Sequence, residues 1–123
     1  MTLQSPMTIL IAGPYRSGTN DDPVLMQQNL DRLNEVALQI FRAGHIPLIG
    51  EWLALPLLEA AGSKSAGDEI YQEISYPVAH RVIAKCDAIL RIPGESKGAD
   101  QDIEVARRLG IRVCYSLEEI LRN

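Results

Sequence analysis

The stretch TILIAGP, residues 8–14, is a short apolar run that ends at a glycine and a proline. A run of this length bounded by turn residues is typical of a strand covered on both faces. Similar runs recur at 46–49, 88–92 and 112–115, with stretches of helical periodicity between them. Strands that alternate with helices pair in parallel through right-handed crossovers. The pattern predicts an α/β fold, a small three-layer Rossmann- or flavodoxin-like sandwich whose parallel sheet has about four or five strands, in the order 2-1-3-4.

Start and stop residues indicate the first two helices. Asp22 can cap a helix that begins at Pro23, and Gly44 ends it. The segment 52–61 is apolar enough for a second helix, although Pro56 is expected to break or kink it. A flexible loop of small residues is predicted at 62–67.

The remaining chain predicts three further helices and a tail. The helices are expected at 68–85, with a restart at Pro77, at 102–109 and at 117–121. Residues 1–6 are expected to form a loose tail. The 123 residues suffice for one domain, so 1–123 is predicted to be a single folded unit.

Composition restricts the partners and the cellular location. The formal net charge is −4, and no block of basic residues could form the stripe that binding to nucleic acid requires. No segment is long enough to be a signal or membrane span, so we expect no membrane contact and a cytoplasmic location. Cys86 and Cys114 lie far apart between apolar neighbours, and we expect both to be reduced and buried.

The loop at 13–19 follows the first predicted strand and has the Gly-x4-Gly spacing of a phosphate-binding loop. Thr19 stands where such a loop has its lysine, which argues against an NTPase. Tyr15, Arg16 and Ser17 together could stack on a base or sugar and hold an anion. The alternative is a solvated turn with Tyr15 packed on the sheet.

A second loop, at 93–104, leads from the third strand into a helix. Its Ser96 and the amides of Gly98 and Ala99 could hold a phosphate at the helix N-terminus. Asp102 and Glu104 would place carboxylates in the first turn or so. Such acids also complement the helix dipole without any catalytic role, and that alternative stays open.

The motifs of both loops together resemble a known family. The first comprises IAGPYR at 11–16, then Asn29 and GH at 44–45; the second comprises CDAI at 86–89 and PGxSKGAxxDxxxA at 93–106. In this order they resemble the nucleoside 2-deoxyribosyltransferase-like proteins, most closely the small DUF4406-type branch. The resemblance spans nearly the whole chain.

This resemblance implies N-glycosidic chemistry, in which a carboxylate acts on the sugar as the base departs. The nucleophile position of the family falls on Asp102, where the family usually has glutamate, and aspartate withdraws the oxygen by about 1.5 Å. Glu104 is the longer acid nearby, two residues out of register. The expected activity is that of a deoxyribosyltransferase or a deoxynucleoside 5′-phosphate N-hydrolase. The alternative is a non-catalytic nucleotide-binding or sensing module of the same fold.

Two more residues enter through the resemblance. His80 stands on the helix where family enzymes often carry an acid, and it could donate a proton to the base or be a surface or packing residue. Asp87 matches an aspartate that the family has before the third strand, and it could cap or orient. His80 and Cys86 lack the spacing of metal ligands, so no metal and no cofactor are expected.

The predicted site therefore has a catalytic set and a ligand-binding set. The partner is expected to be a small nucleoside or nucleotide, and the apolar segment 51–67 predicts a homo-oligomer, a dimer or larger. The expected catalytic residues are Asp102, Tyr15, Glu104 and His80, and the expected ligand- or phosphate-binding residues are Gly13, Arg16, Ser17, Asn29, Asp87, Ser96, Gly98 and Ala99.

Overall fold

The computed structural model describes residues 5–65 and 67–121. Most of the predicted tail and Ala66 of the predicted loop lie outside these ranges. The strands are β1 (Thr8–Ala12), β2 (Ile46–Ile49), β3 (Ala88–Arg91) and β4 (Arg112–Cys114). All pairs are parallel and the order is β2-β1-β3-β4, which confirms the predicted α/β class and strand order.

Among the described residues, five helices connect and follow these strands. They are α1 (Pro23–Arg42), α2 (Gly50–Ala60), α3 (Glu69–Ile83), α4 (Lys97–Arg108) and α5 (Leu117–Leu121). The first begins as predicted, because the Asp22 side chain accepts a hydrogen bond from the Val24 amide and Pro23 occupies the first helical position.

Neither internal proline breaks its helix. Pro56 lies inside α2 and Pro77 inside α3, so the expected break and the expected restart were wrong. A proline removes one backbone hydrogen bond, and tertiary packing can compensate for that loss. In α2 that packing comes from Ala54 and Leu58, which are buried.

The helix after β3 begins earlier than the sequence pattern predicted. It starts at Lys97 instead of residue 102, because the Ser96 hydroxyl caps it by accepting a hydrogen bond from the Ala99 amide at 3.1 Å. Asp102 therefore lies in the second turn of α4, one turn away from the helix N-terminus.

The core forms two layers, one on each face of the sheet. Ile9 and Ile11 of β1 point into a cluster with residues of α1 and α5, whereas Leu10 and Ala12 point into a cluster with residues of α3 and α4. This alternation follows from the two-residue period of a strand and produces the three layers. Cys86 and Cys114 are buried free thiols. No helix within the described ranges is long and apolar enough to cross a membrane.

Candidate functional site

A cleft of about 910 Å³ opens where β1, β2 and β3 end. In parallel α/β folds, ligands bind beyond the carboxyl ends of the strands, where the direction of the connections reverses, and in this sheet that point lies between β1 and β3. The cleft brings the two predicted loops together. Among the residues that line it are Gly13, Tyr15, Arg16, Ser17, Asn29, Ser96, Gly98, Ala99 and Asp102.

The loop after β1 is fixed by neighbouring residues. Asn29 of α1 donates a side-chain hydrogen bond to the Tyr15 carbonyl oxygen at 2.8 Å. A Cβ atom at Gly13 would overlap the Ile92 side chain, so only glycine allows this close approach. Partial burial, and secondarily the charge of Glu51, raise the pKa of the Tyr15 hydroxyl above its usual value. Asn29 therefore supports the loop and also faces the cleft.

Arg16 is held at the edge of the cleft by two contacts. Its Nε donates to Asp21 Oδ1 at 2.7 Å, and its guanidinium lies 5.3 Å from the centre of the Tyr71 ring. The hydrogen bond between the two side chains raises the pKa of Arg16 and lowers that of Asp21. The contacts orient a cation toward the ligand space, where an anion would compete with Asp21 for it.

Two polar groups of the second loop form a hydrogen bond with each other. Ser96 is buried and its hydroxyl accepts from the Ala99 amide. The Ala99 amide is thus used in capping α4, whereas the Ser96 hydroxyl only accepts in this bond and keeps its own proton to donate. Lys97 and Gly98, in the first turn of α4, also line the cleft.

Asp102 projects from the second turn of α4 into the cleft. Its side chain is 15% exposed. Burial is the main cause that raises its pKa to about 7, the negative charge of Glu51 adds to this, and Arg91 acts in the opposite direction. Asp102 therefore exchanges its proton near neutral pH, which is a property of many catalytic acids and bases.

Glu51 is a cleft residue that the sequence interpretation did not include. It lies in the first turn of α2, directly after β2, and burial raises the pKa of its carboxyl group. Its charge also raises the pKa values of Tyr15, Tyr71 and Asp102, so it faces groups from three other segments. The rule that ligands bind beyond strand ends could have singled out Glu51, because it is the first acid after β2. Tyr71, Ser75 and Tyr76 of α3 also line the cleft, and no motif marks them.

His80 is a neighbour of Asp102. Its Nε2 atom is 3.8 Å from Asp102 Oδ1, longer than a hydrogen bond. That nitrogen is buried and has no hydrogen-bond partner among the residues that the structure describes. His80 is not one of the cleft-lining residues. His80 is therefore placed to interact with Asp102, whereas a ligand in the cleft would contact Asp102 before it contacted His80.

Two predicted site residues lie elsewhere. Glu104 is exposed and outside the cleft, because a step of two residues turns a helix by about 200° and places it opposite Asp102. Asp87 precedes β3, and its Oδ2 accepts a hydrogen bond from the Thr8 amide at 2.8 Å. Asp87 thus joins the amino ends of β1 and β3, at the edge opposite the cleft. The structure therefore does not bring these two residues into the cleft, and Asp87 orients the chain instead.

The cleft offers two partly buried carboxyl groups, tyrosine side chains and, at its rim, cationic side chains. No group of three or more His, Cys, Asp or Glu side chains within 5–65 and 67–121 could hold a metal ion. No protein-family model matches the sequence, and no curated protein matches it either. The chemistry of the cleft itself is therefore the basis for assigning a function.

Proposed function

We propose that the protein is an N-glycosidase that acts on a nucleoside or nucleotide, of the deoxyribosyltransferase or deoxynucleoside 5′-phosphate N-hydrolase type. The observation that carries the proposal is the Asp102 carboxyl group, buried in the same cleft as Tyr15 and exchanging its proton near neutral pH. The likeness of both loop motifs to the nucleoside 2-deoxyribosyltransferase-like proteins supports it, and we propose that the chain is a member of that family.

The proposed reaction breaks the bond between C1′ of the sugar and a nitrogen of the base. Positive charge develops on C1′ and on the ring oxygen as the base departs, and a carboxylate on the opposite face stabilises or attacks this centre. Ionised Asp102 has this role. Water as the acceptor gives a hydrolase, and a second base gives a transferase.

The rest of the cleft fits a nucleotide. Its volume of about 910 Å³ is within the range of small-molecule sites. Tyr15 and Tyr71 offer aromatic faces for a base or sugar, whereas Arg16, Ser17 and Lys97 offer donors for a 5′-phosphate. The three donors lie in the loop after β1 and at the N-terminus of α4.

A second candidate is a non-catalytic nucleotide-binding module. The raised pKa of Asp102 favours it, since a carboxyl group with a pKa of about 7 is half protonated at neutral pH, and its protonated form is a poor nucleophile. Such a module would bind the same ligands through the same cleft and release no base.

Incubation with a panel of deoxynucleoside 5′-monophosphates, followed by chromatography for free base, distinguishes the two candidates. We expect the wild-type protein to release base, and Asp102→Ala to reduce the rate by at least about 10²-fold while leaving ligand affinity largely unchanged, because the carboxylate acts chiefly in the transition state. The control is Glu104→Ala, an exposed acid of the same helix.

The possible results of this assay separate the enzyme from the binding module. Binding without base release in the wild-type protein supports the binding module and overturns the enzyme. Release that continues unchanged in Asp102→Ala shows that another group carries the chemistry. Adding a second free base to the active protein separates transfer from hydrolysis.

A further inference from the structure

Glu51 and Asp102 approach the cleft from its two sides. The order β2-β1-β3 places the end of β2 on one side of the loop after β1 and the end of β3 on the other. Glu51 follows β2 and Asp102 lies on the helix that follows β3. A ligand held by the loop after β1 therefore lies between two carboxyl groups.

The surroundings of Glu51 offer no structural reason for its partial burial. Within the described part of the chain it forms no ion pair, and the hydrogen bond that favours its charged form is to its own backbone amide. An acid in a first helical turn complements the helix dipole, but it does so equally well when exposed. Burying a carboxylate costs free energy, so a buried one that faces a cleft is typical of a functional group.

We propose that Glu51 is the second catalytic carboxyl group of this cleft and donates a proton to the departing base while Asp102 carries the negative charge at the anomeric carbon. This inference rests on the proposed function. Two carboxyl groups that influence each other do not both ionise easily, so the pair retains one proton over a pH range. This proton belongs to the pair, and the reactive form is the one in which Glu51 holds it and Asp102 is ionised. One protonated and one ionised group are what cleavage of a glycosidic bond requires.

The proposed reaction has two halves, and in each half one bond to C1′ breaks as another forms. The C1′–N bond breaks with its electron pair passing to the base, and the base takes the proton of Glu51. A lone pair of an Asp102 oxygen forms a bond to C1′. In the second half, a water oxygen attacks C1′, its proton passes to the Glu51 carboxylate, and the bond to Asp102 breaks. Free base and sugar are released, and both carboxyl groups return to their first state.

The test compares two substrates that differ in their need for a proton. 2′-Deoxyguanosine 5′-phosphate loses a base that must be protonated, whereas its 7-methyl derivative carries a cationic base that departs as a neutral molecule. We expect Glu51→Gln to slow base release from the first substrate by about 10²- to 10⁴-fold. Release from the 7-methyl substrate should fall less than about tenfold. Asp102→Asn should slow both.

The matched control is Glu59→Gln, because Glu59 is an exposed acid on the same helix. It should leave both rates unchanged. Thermal melting of Glu51→Gln tests whether this nearly isosteric variant is folded. The same series also reports on the proposed function, because wild-type protein that releases neither base overturns both proposals together.

Other results overturn the role of Glu51 alone. If the wild-type protein is active and Glu51→Gln keeps both rates, Glu51 is not the proton donor although the proposed function stands. If Glu51→Gln slows both substrates equally, Glu51 supports the shape of the cleft and does not donate the proton.

Discussion

Asp102 combines partial burial with a proposed function that requires charge. Its carboxyl group lines the cleft together with Tyr15 and Glu51, and Arg91 opposes the rise of its pKa. The ionised form is thus destabilised in the folded protein. Its ionised form is a stronger base than an exposed aspartate, and its ionisation reduces the stability of the fold at neutral and alkaline pH.

The first prediction concerns the free energy of unfolding of Asp102→Asn. The pKa of Asp102 is raised from 3.8 to about 7, so the folded state holds a proton between these values that the unfolded chain has lost. Stability from this group is therefore present at low pH and is lost as the pH rises toward 7 and beyond. Asparagine removes the ionisation, and we expect it to raise the free energy of unfolding at pH 8 by roughly 2–4 kcal/mol.

Urea denaturation at pH 4 and pH 8 measures this effect. The gain at pH 4 should be small, because there the buried carboxyl group is already protonated. Glu104→Gln controls for removing one charge from an exposed position of α4. An equal gain for Asp102→Asn at both pH values would contradict the assigned ionisation.

Sequence reasoning predicted the residues of the cleft that belong to motifs and missed those that do not. Tyr15 lies in the loop after β1, and Asp102 lies in α4 just after the loop that follows β3, so the glycine motifs at these strand ends mark both residues. Glu51 follows β2 without any such spacing, and Tyr71 depends on how α3 packs. Asp87 was misplaced because it precedes its strand, and only the parallel pairing of β3 with β1 shows which edge it occupies.

At the scale of elements, the strands were predictable because each apolar run is short and bounded by turn residues. Strands β1 and β2 have the predicted bounds, and β3 and β4 each end one residue earlier. The beginning of α4 was not predictable in the same way. Glycine at position 98 suggests a loop by its low helix propensity, but the Ser96 cap and the buried Ala99 extend the helix over it.

The second prediction concerns this cap. Ser96→Ala removes the acceptor of the Ala99 amide, and we expect it to lower the free energy of unfolding by about 1 kcal/mol. Because Asp102 lies on the next turn, base release should also fall. Denaturation and the base-release assay measure the two effects, and Ser96→Thr should largely restore both.

The control for the cap is Ser116→Ala. The Ser116 hydroxyl accepts from a backbone amide at the start of α5, which packs beside β4, on the side of the sheet away from β2. Its loss should affect stability slightly and leave activity unchanged. A drop in activity equal to that of Ser96→Ala would show that general destabilisation, and not the position of Asp102, is the cause.

At the scale of the whole molecule, the site occupies one edge of the sheet, and one of the exposed apolar surfaces lies next to it on α2. Helix α2 is the boundary between them. Glu51 at its beginning faces the cleft, and Ala54 and Leu58 are buried. Trp52, Leu53 and Leu57 of the same helix remain 41%, 44% and 50% exposed.

This exposed face supports the predicted homo-oligomer, which we propose to be a dimer formed through α2. The alternative, that Trp52 and the leucines close the core of one chain, fits less well, because three of the large apolar side chains of α2 remain exposed. Trp52 also donates a hydrogen bond to Asn34 of α1, which fixes its ring at the surface. Exposed apolar patches on small proteins are typical of association sites, and two-fold pairing is the commonest form.

The last prediction is therefore a mass in solution of twice the 13.6 kDa of one chain. Light scattering in dilute solution measures it, and Leu57→Glu should shift the mass to that of one chain, since it would bury a charge between the two copies. Leu121→Glu places the same charge on an exposed leucine of α5, near the opposite edge of the sheet, and should leave the dimer intact. A stable mass near 13.6 kDa for the wild-type chain would overturn the dimer. Dissociation by both variants would place the interface elsewhere.

Because Glu51 is on the same helix as Leu57, dissociation should also weaken base release, which would link assembly to the geometry of the cleft.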